Sequence, residues 1–524
     1  MKILIYSVLY LVLFTCNNAL NAQQLMFPLG NIYKQNIDFE INKQTNINSN
    51  TGFKPFTISE LNSIINIDSS VYKSNEKEKF FKTHKKNWIW KKLLFEDFIS
   101  IEKERFNLYI NPLFFLEYGK ITETGQSYFI NTRAVEIKGN IGKNLSFYSS
   151  FRENQAEFRP YIYNWAWNRL VVPGQGALKK NNNNITQYDF SSASGYLSFT
   201  PINNLNIQIG QDKQFIGEGH RSLLLSDNSS NYPFAKFSYT LKSLKYTTVF
   251  AEFRDFETAY YQYHFKKHAA FNYLSYNYKN RFEIGIFEGG IYQTTDTAEY
   301  YNKFQADYFI PIIGVRTITN GFSSNNNILL GFNSKLKITK FIITYGQIAV
   351  DDFKENQFAY QAGIKIFDIF HEKIKGHRLY GQTEFNTATP HTYSHPEIKY
   401  QTWSHYNQEL AHPAGSDFQE IYIITNYSYK SVLIDFRLSS LTLNNKSSFS
   451  DIYHDVYNFS SLSAIPKTIS HKTLTAAYII NPKTHVQIYA GLDIRTEKQT
   501  DTQTTDTFIM FGLKTGLNNF YYDF

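Results

Sequence analysis

Three stretches of the chain gather side chains able to do chemistry on a ligand. GQDKQFIGEGHRSLLLSDN (210–228) places Asp212, Gln214, Glu218, His220, Arg221 and Asn228 around three leucines, Leu223 to Leu225. A second stretch carries Tyr161, Tyr163, Trp165 and Trp167 ahead of Gly174-Gln175-Gly176. A third holds His391, Tyr393, His395, His405 and His412. Aromatic faces stack on sugar rings, while carboxylates, amides and imidazoles bond the hydroxyls. The pattern therefore points to saccharide contact. Each stretch also has a plainer reading. The first is a constriction in which Arg221 pairs with an acid such as Glu218 or Asp227. The second is an interfacial aromatic belt, and the third a His- and Tyr-rich loop packed into a barrel mouth.

Other chemistries fit less well. The histidines follow H-x3-H, nine residues, then H-x6-H, and could meet at a metal or, protonated, bind acidic sugars. The only cysteine is Cys16, so no thiolate assists them, and no metal or other cofactor is expected. GEGHRS lacks the spacing and the lysine of a phosphate-cradling loop. Ser222 and Ser226 lie near His220, but no strained nucleophile elbow surrounds them. The chain reads as non-enzymatic.

What would hold these stretches is a wall of strands. In SVLIDFRLSS, Val432, Ile434, Phe436 and Leu438 alternate with Asp435 and Arg437. In HVQIYAGLD, Val486, Ile488, Ala490 and Leu492 alternate with Gln487, Tyr489 and Asp493. A period of two gives one apolar and one polar face. About eighteen such segments fit between 106 and 524. Tight connections, as at Lys430 or Lys279–Arg281, alternate with long ones at 153–185, 216–232, 291–324, 388–416 and 442–471. Outer-membrane barrels have this asymmetry, with short periplasmic turns and long outer loops. The expected fold is all-β: a transmembrane antiparallel up-and-down barrel of about 18 strands over 106–524, both ends periplasmic. Loops 153–185 and 291–324 are long enough to fold inside. The last strand is expected at 506–524, where Phe520, Tyr522 and Phe524 alternate to a terminal aromatic.

The flanking sequence agrees. Lys2, an apolar run over 3–15 and NALNA read as a signal peptide, residues 1–22, cut after Ala22. Residues 23–105 read as a periplasmic segment, partly helical, packed on the lower rim. Thr57 could open a short helix. Residues 74–99 look helical, with Phe81, Trp88 and Phe95 seven apart; a membrane-surface helix is the second reading there. Aromatics at 17 % and charged residues at 19 % suit a barrel, and the net charge of +8 is scattered, which gives no nucleic-acid footprint.

Several blocks carry a resemblance. WIWKKLLFEDF (88–98), NTRAVEIKGNIGKNLSFYSSFRENQ (131–155), the 210–228 stretch, KHAAFNYLSYNY with FEIGIFEG, NNNILLGFNSKLK, YGQIAVDDF, TPHTYSH and LAHPAGSDFQE follow in order. In these the chain resembles the Wzi-type capsule-attachment barrels, and more closely their gliding-motility RemB branch. The resemblance spans nearly the whole chain beyond the leader. It implies an eighteen-stranded barrel with a helical periplasmic portion, in contact with outer-membrane lipid. It also implies surface polysaccharide as partner, for capsule or exopolysaccharide attachment, or a role in gliding motility and adhesion. A diffusion channel and an accessory subunit of a secretion or motility complex are the alternatives.

Overall fold

A computed structural model describes residues 24–67, 88–180, 186–256, 264–293, 306–320, 326–352, 354–368, 374, 376–395, 401–444, 466–516 and 519–524. The chain forms a closed antiparallel barrel of eighteen long strands. They are β1 (Phe106–Ile121), β2 (Ser127–Ile141), β3 (Leu145–Glu157), β4 (Gln187–Ile202), β5 (Leu205–Asp212) and β6 (Tyr232–Leu241). Next come β7 (Leu244–Phe256), β8 (His264–Tyr278), β9 (Phe282–Gln293), β10 (Asn327–Thr339), β11 (Ile342–Asp352) and β12 (Gln357–Phe367). The last are β13 (His377–Ala388), β14 (Phe418–Tyr429), β15 (Val432–Leu443), β16 (Lys467–Asn481), β17 (Val486–Lys498) and β18 (Gln503–Lys514). Each pairs with its chain neighbour, and β18 closes on β1 from Phe508↔Ile121 to Lys514↔Phe115. Closure leaves no long free edge.

The alternation read from sequence is the alternation of the wall. Leu116, Phe151, Leu197, Ile209, Ile286, Ile434, Ile488 and Phe511 stand exposed on the outside. Thr132, Asn154, Gln208, Gln347, Gln361 and Gln487 are buried inside. An apolar exterior over a polar interior is the pattern of a membrane-spanning barrel.

The interior is largely occupied by the chain itself. Residues 24–67 enter from the short-turn end rather than resting on the rim. Their helix α1 (Asn31–Lys43) reaches the wall through an Asp38–Lys365 ion pair. Helix α2 (Ile58–Asn62) opens at Thr57, whose Oγ1 accepts from the Glu60 N–H at 3.1 Å. Phe53 and Lys54 pair as a short strand with Ile216 and Phe215 of the β5–β6 loop.

Three further expectations need correcting. The last strand ends at Lys514, and Phe520, Tyr522 and Phe524 leave the wall for the lumen. The edge of β1 that β18 would follow is already taken: Ile99–Lys103 pairs with Phe106–Ile110. The 74–99 helix is reduced, among the described residues, to α3 (Trp88–Leu94), followed by that short strand; 68–87 lie outside the described residues. The 291–324 loop does not enter the barrel where it is described. Its residues 306–320, including helix α5 (Val315–Asn320), lie against the outer face of β7–β9. There Asn272 Nδ2 donates to Ile310 O at 3.2 Å and Thr317 Oγ1 to Glu288 at 2.9 Å. Thr248, Asn272 and Glu288 are polar residues at outward positions, so this part of the wall needs a cover.

Candidate functional site

The three stretches singled out by sequence meet at the long-loop end. Helix α4 (Pro160–Arg169) follows β3 and turns inward on buried Ile162 and Ala166. Its Arg169 donates to both oxygens of Glu409, at 2.9 and 3.0 Å. The β5–β6 loop packs against both the turn after α4 and the histidine loop. Lys213 Nζ donates to Gly174 O at 2.8 Å, and Asn228 Nδ2 to Glu409 O at 3.2 Å. Trp403 Nε1 donates to Leu224 O and Tyr393 Oη to Leu223 O, at 2.9 and 2.8 Å. Leu223, Leu224 and Leu225 are fully buried among Phe234, Phe253, Phe271, Phe287 and Trp403. That apolar cluster explains why a strand gives way to a leucine-bearing excursion: the loop is an inward plug with its own core.

Two wall carboxylates clamp the plug. Glu384 accepts from the backbone N–H groups of His220 and Arg221 at 2.8 and 3.1 Å, and from Tyr345 Oη at 2.8 Å. Glu420 accepts from Arg221 Nη2 at 3.0 Å, from Asn386 Nδ2 at 3.0 Å and pairs with His412 Nε2 at 2.8 Å. Arg221 is therefore paired, as the plainer reading holds, but with Glu420 and the tail's Asp523 at 3.0 Å rather than with Glu218 or Asp227. Its guanidinium also lies over Tyr422 and Tyr521, 4.8 and 5.1 Å from their ring centroids.

Glu218 faces the N-terminal segment instead. Thr51 Oγ1 donates to it at 2.5 Å, with Lys54 and Lys365 within 3.8 Å. Burial opposes its charge, yet Lys54, Lys335 and Lys365 outweigh burial and hold the carboxyl at about 2. His220 stacks on Tyr422 at 4.3 Å, and burial reinforced by Arg221 keeps its imidazole far below the usual range. His405 accepts from the Arg254 N–H at Nδ1 and faces Asn231 O through Nε2 at 3.2 Å; burial lowers it to about 3.

Gln214, Glu218, His220, Arg221, Asn228, Tyr393, His405 and His412 are thus buried and bonded to other parts of the chain. Asp212, Tyr161, Trp165 and His395 keep partial exposure, while Trp167 and His391 are exposed. Tyr161 and Trp165 pack on the tail's Phe524, so they are not part of an outer belt; Trp167 lies parallel to Tyr163. Among the described residues, no group of three or more His, Cys, Asp or Glu is arranged to hold a metal ion.

Sequence reasoning missed the clamps Glu384 and Glu420 and the tail residues Tyr521 and Asp523. Glu384 and Asn386 alternate with Phe385 on β13, which marks them as inward, but an inward acid does not announce what it will hold. Tyr521 Oη donates to Asp227 at 2.6 Å, and Phe520 stacks on Phe115 of β1.

Space remains on one side of the lumen. A cavity of about 210 Å³ is lined by Ser439, His471, Thr473, Thr475, Gln487 and the tail. A second, about 350 Å³, lies toward the short-turn end against β1–β5 and includes Asp227. Tyr521 faces the first and its partner Asp227 the second, so the tail separates them.

The barrel is similar to Wzi, an outer-membrane protein involved in group 1 capsule assembly in Escherichia coli and a carbohydrate-binding β-barrel. The TM-score is 0.59 at 13 % identity, over 94 % of this chain and 100 % of that one. OccAB2 of Acinetobacter baumannii matches at TM-score 0.41 and 10 % identity, over 78 % of this chain and 97 % of its own. OpdK of Pseudomonas aeruginosa, solved with vanillate, matches at 0.43 and 7 %, over 78 % and 97 %. At these identities the likeness speaks for the fold alone, and the last two scores carry no argument. No protein-family profile and no curated protein matches the chain.

Proposed function

We propose that the chain is a non-enzymatic outer-membrane barrel that holds surface polysaccharide at its long-loop end. Its loops face outward from the cell, and both ends of the barrel face the periplasm after removal of residues 1–22. The observation that carries this reading is a lumen occupied by the chain's own N-terminal segment, loop and tail. Such a barrel is built to present a fixed surface rather than to pass solute. The resemblance to Wzi over most of both chains favours saccharide as what is presented to. Trp167, His391 and the half-exposed Asp212, Tyr161, Trp165 and His395 are the contacts proposed, with the buried polar residues holding them in place.

Purified barrel tested against the host's capsule and exopolysaccharide should bind in the micromolar range or tighter. A Trp167→Ala/His391→Ala double variant should weaken binding without unfolding. Absence of binding, with unchanged capsule retention in a deletion strain, would remove the proposal. The same deletion strain, scored for colony spreading, separates capsule attachment from gliding motility, adhesion or a motility or secretion complex.

The two lumenal cavities favour one second reading, a diffusion channel gated by the tail. Large stepwise currents from the intact protein in planar bilayers would support it; near-zero current is expected.

A further inference from the structure

Two tryptophans stand outside everything the lumen requires. Helix α3 buries none of its residues, and Trp88 is 69 % exposed. Ile89, Trp90, Leu93 and Phe98 are at least half exposed, and Ile99 and Ile101 follow at 42 % and 41 %. A folded protein rarely leaves so many large apolar side chains together in water.

The segment is fixed to the wall. Asn481 Nδ2 donates to Lys92 O and Glu96 O at 3.4 and 3.2 Å. Buried Asp97 accepts from Asn111 Nδ2 at 2.9 Å and pairs with Lys483 at 2.7 Å. The Phe98 N–H donates to Asn111 Oδ1 at 2.9 Å. Lys92 Nζ reaches forward to Ser100 Oγ at 3.1 Å, tying the helix to the strand after it.

Register shows which way the segment faces. Ile99 sits opposite Ile110 and Ile101 opposite Leu108 on β1. Directly opposed residues share one face of a sheet. Even-numbered residues of β1 face outward, as the exposed Leu116 and Tyr118 do, whereas Asn111, Leu113 and Glu117 are buried. The stripe Ile99, Ile101, Leu108 and Ile110 therefore continues the apolar exterior of the barrel. On the β16–β17 side, Tyr478 and its cross-strand partner Ile488 carry the same exterior down beside α3.

We infer that residues 88–101 are an interfacial anchor that seats the short-turn rim in a phospholipid leaflet. Trp88 and Trp90 lie at headgroup depth, where an indole meets both apolar chain and water. Lys91 and Lys92, with Lys103 and Arg105 close in sequence, suit phosphate groups at that level. Continuity with the apolar wall selects lipid over any other occupant. The name of the leaflet rests on the orientation proposed above; the contact with lipid does not.

The test uses the full-length barrel in vesicles of phosphatidylcholine and phosphatidylglycerol, with and without lipid brominated near the headgroup end of the acyl chain. Bromine quenches only nearby indoles. Tryptophan emission is compared between the parent and a Trp88→Phe/Trp90→Phe variant, neither position being buried. Brominated lipid should remove up to two-fifths of the parent emission, the share of two tryptophans among five. The variant should lose most of that quenching. Equal quenching of both proteins overturns the inference. So does absence of quenching in the parent accompanied by a cross-linked dimer, which would make a second copy the occupant.

Discussion

The two halves of the lumen are built differently. Along β6–β13 the inward faces carry Phe234, Val249, Ala251, Phe253, Ala269, Phe271, Phe287, Leu329, Ala349 and Ala359, closed over by the three leucines of the plug. Along β15–β17 they carry Asp435, Arg437, Ser439, His471, Thr473, Thr475, Gln487 and Asp493, and a cavity lies against them. Both halves share one exterior. A run of apolar residues on the inward face of barrel strands thus reports an internal protein core, whereas an inward polar residue either lines a cavity, as Thr475 does, or meets a polar partner on the plug, as Glu384 and Glu420 do. Strands apolar on both faces belong to a barrel with an internal core.

Breaking the clamp should show the contrast most strongly. Arg221→Ala leaves the buried Glu420 and the partly exposed Asp523 without their cation, and losing one member of a buried pair such as Arg221–Glu420 costs about 3–5 kcal/mol. Denaturant titration of the detergent-solubilised barrel should show that loss, with new proteolysis within 213–231. Arg221→Lys should recover only part of it, because a point charge cannot serve two carboxylates and two rings as a planar fork does.

Next in size is the core of the filled half. Leu224 is fully buried against Gly331, Trp403 and the rest of the cluster. Leu224→Ala should cost ~2–5 kcal/mol through lost burial and a residual void. The plug should loosen while the wall's β circular-dichroism signal stays unchanged.

Acidification should act on the same half. The His405 imidazole sits at about 3 in the fold against 6.5 when free, so between those values only the unfolded chain takes the proton. Its stabilising effect is complete above pH 6.5 and lost as pH falls toward 3. His220 shifts the same way. Glu218 adds a lower window: its contribution is complete above its ordinary 4.5 and lost as pH falls toward 2. Plug stability should therefore fall, by on the order of a few kcal/mol, as pH drops below 6.5. His405→Gln, which keeps an acceptor and a donor but cannot titrate, should flatten the upper part of that fall.

The smallest effect belongs to the open half. Thr475 is half-buried on the cavity wall, and Thr475→Ala should change stability by less than about 0.5 kcal/mol. A loss comparable to that of Leu224→Ala would erase the distinction between the halves.

The wall was legible in the sequence because its signal is local. A period of two, as in Val432–Leu438, survives whatever lies across the lumen, and a single chain neighbour on each side sets the register. The plug's partners were not legible, because they are joined across long sequence distances. Arg221 meets Glu420 and Asp523, and Glu218 meets Lys54 and Lys365, without any spacing rule linking them. The C-terminal tail misled for a related reason: Phe520, Tyr522 and Phe524 alternate like a strand, but Ile99–Lys103 already holds the edge they would need. Local periodicity says what a segment can pair as, not whether a partner is free.

Cysteine accessibility tests the contrast between the halves most directly. In a Cys16→Ser background, Thr475→Cys and Ala251→Cys place one thiol on an inward position of each half. With a water-soluble maleimide, native Thr475→Cys should label within minutes, while Ala251→Cys should stay unmodified until the barrel is unfolded. Rapid labelling of Ala251→Cys in the native protein would mean that the β6–β13 half is open to water and would contradict the internally plugged barrel.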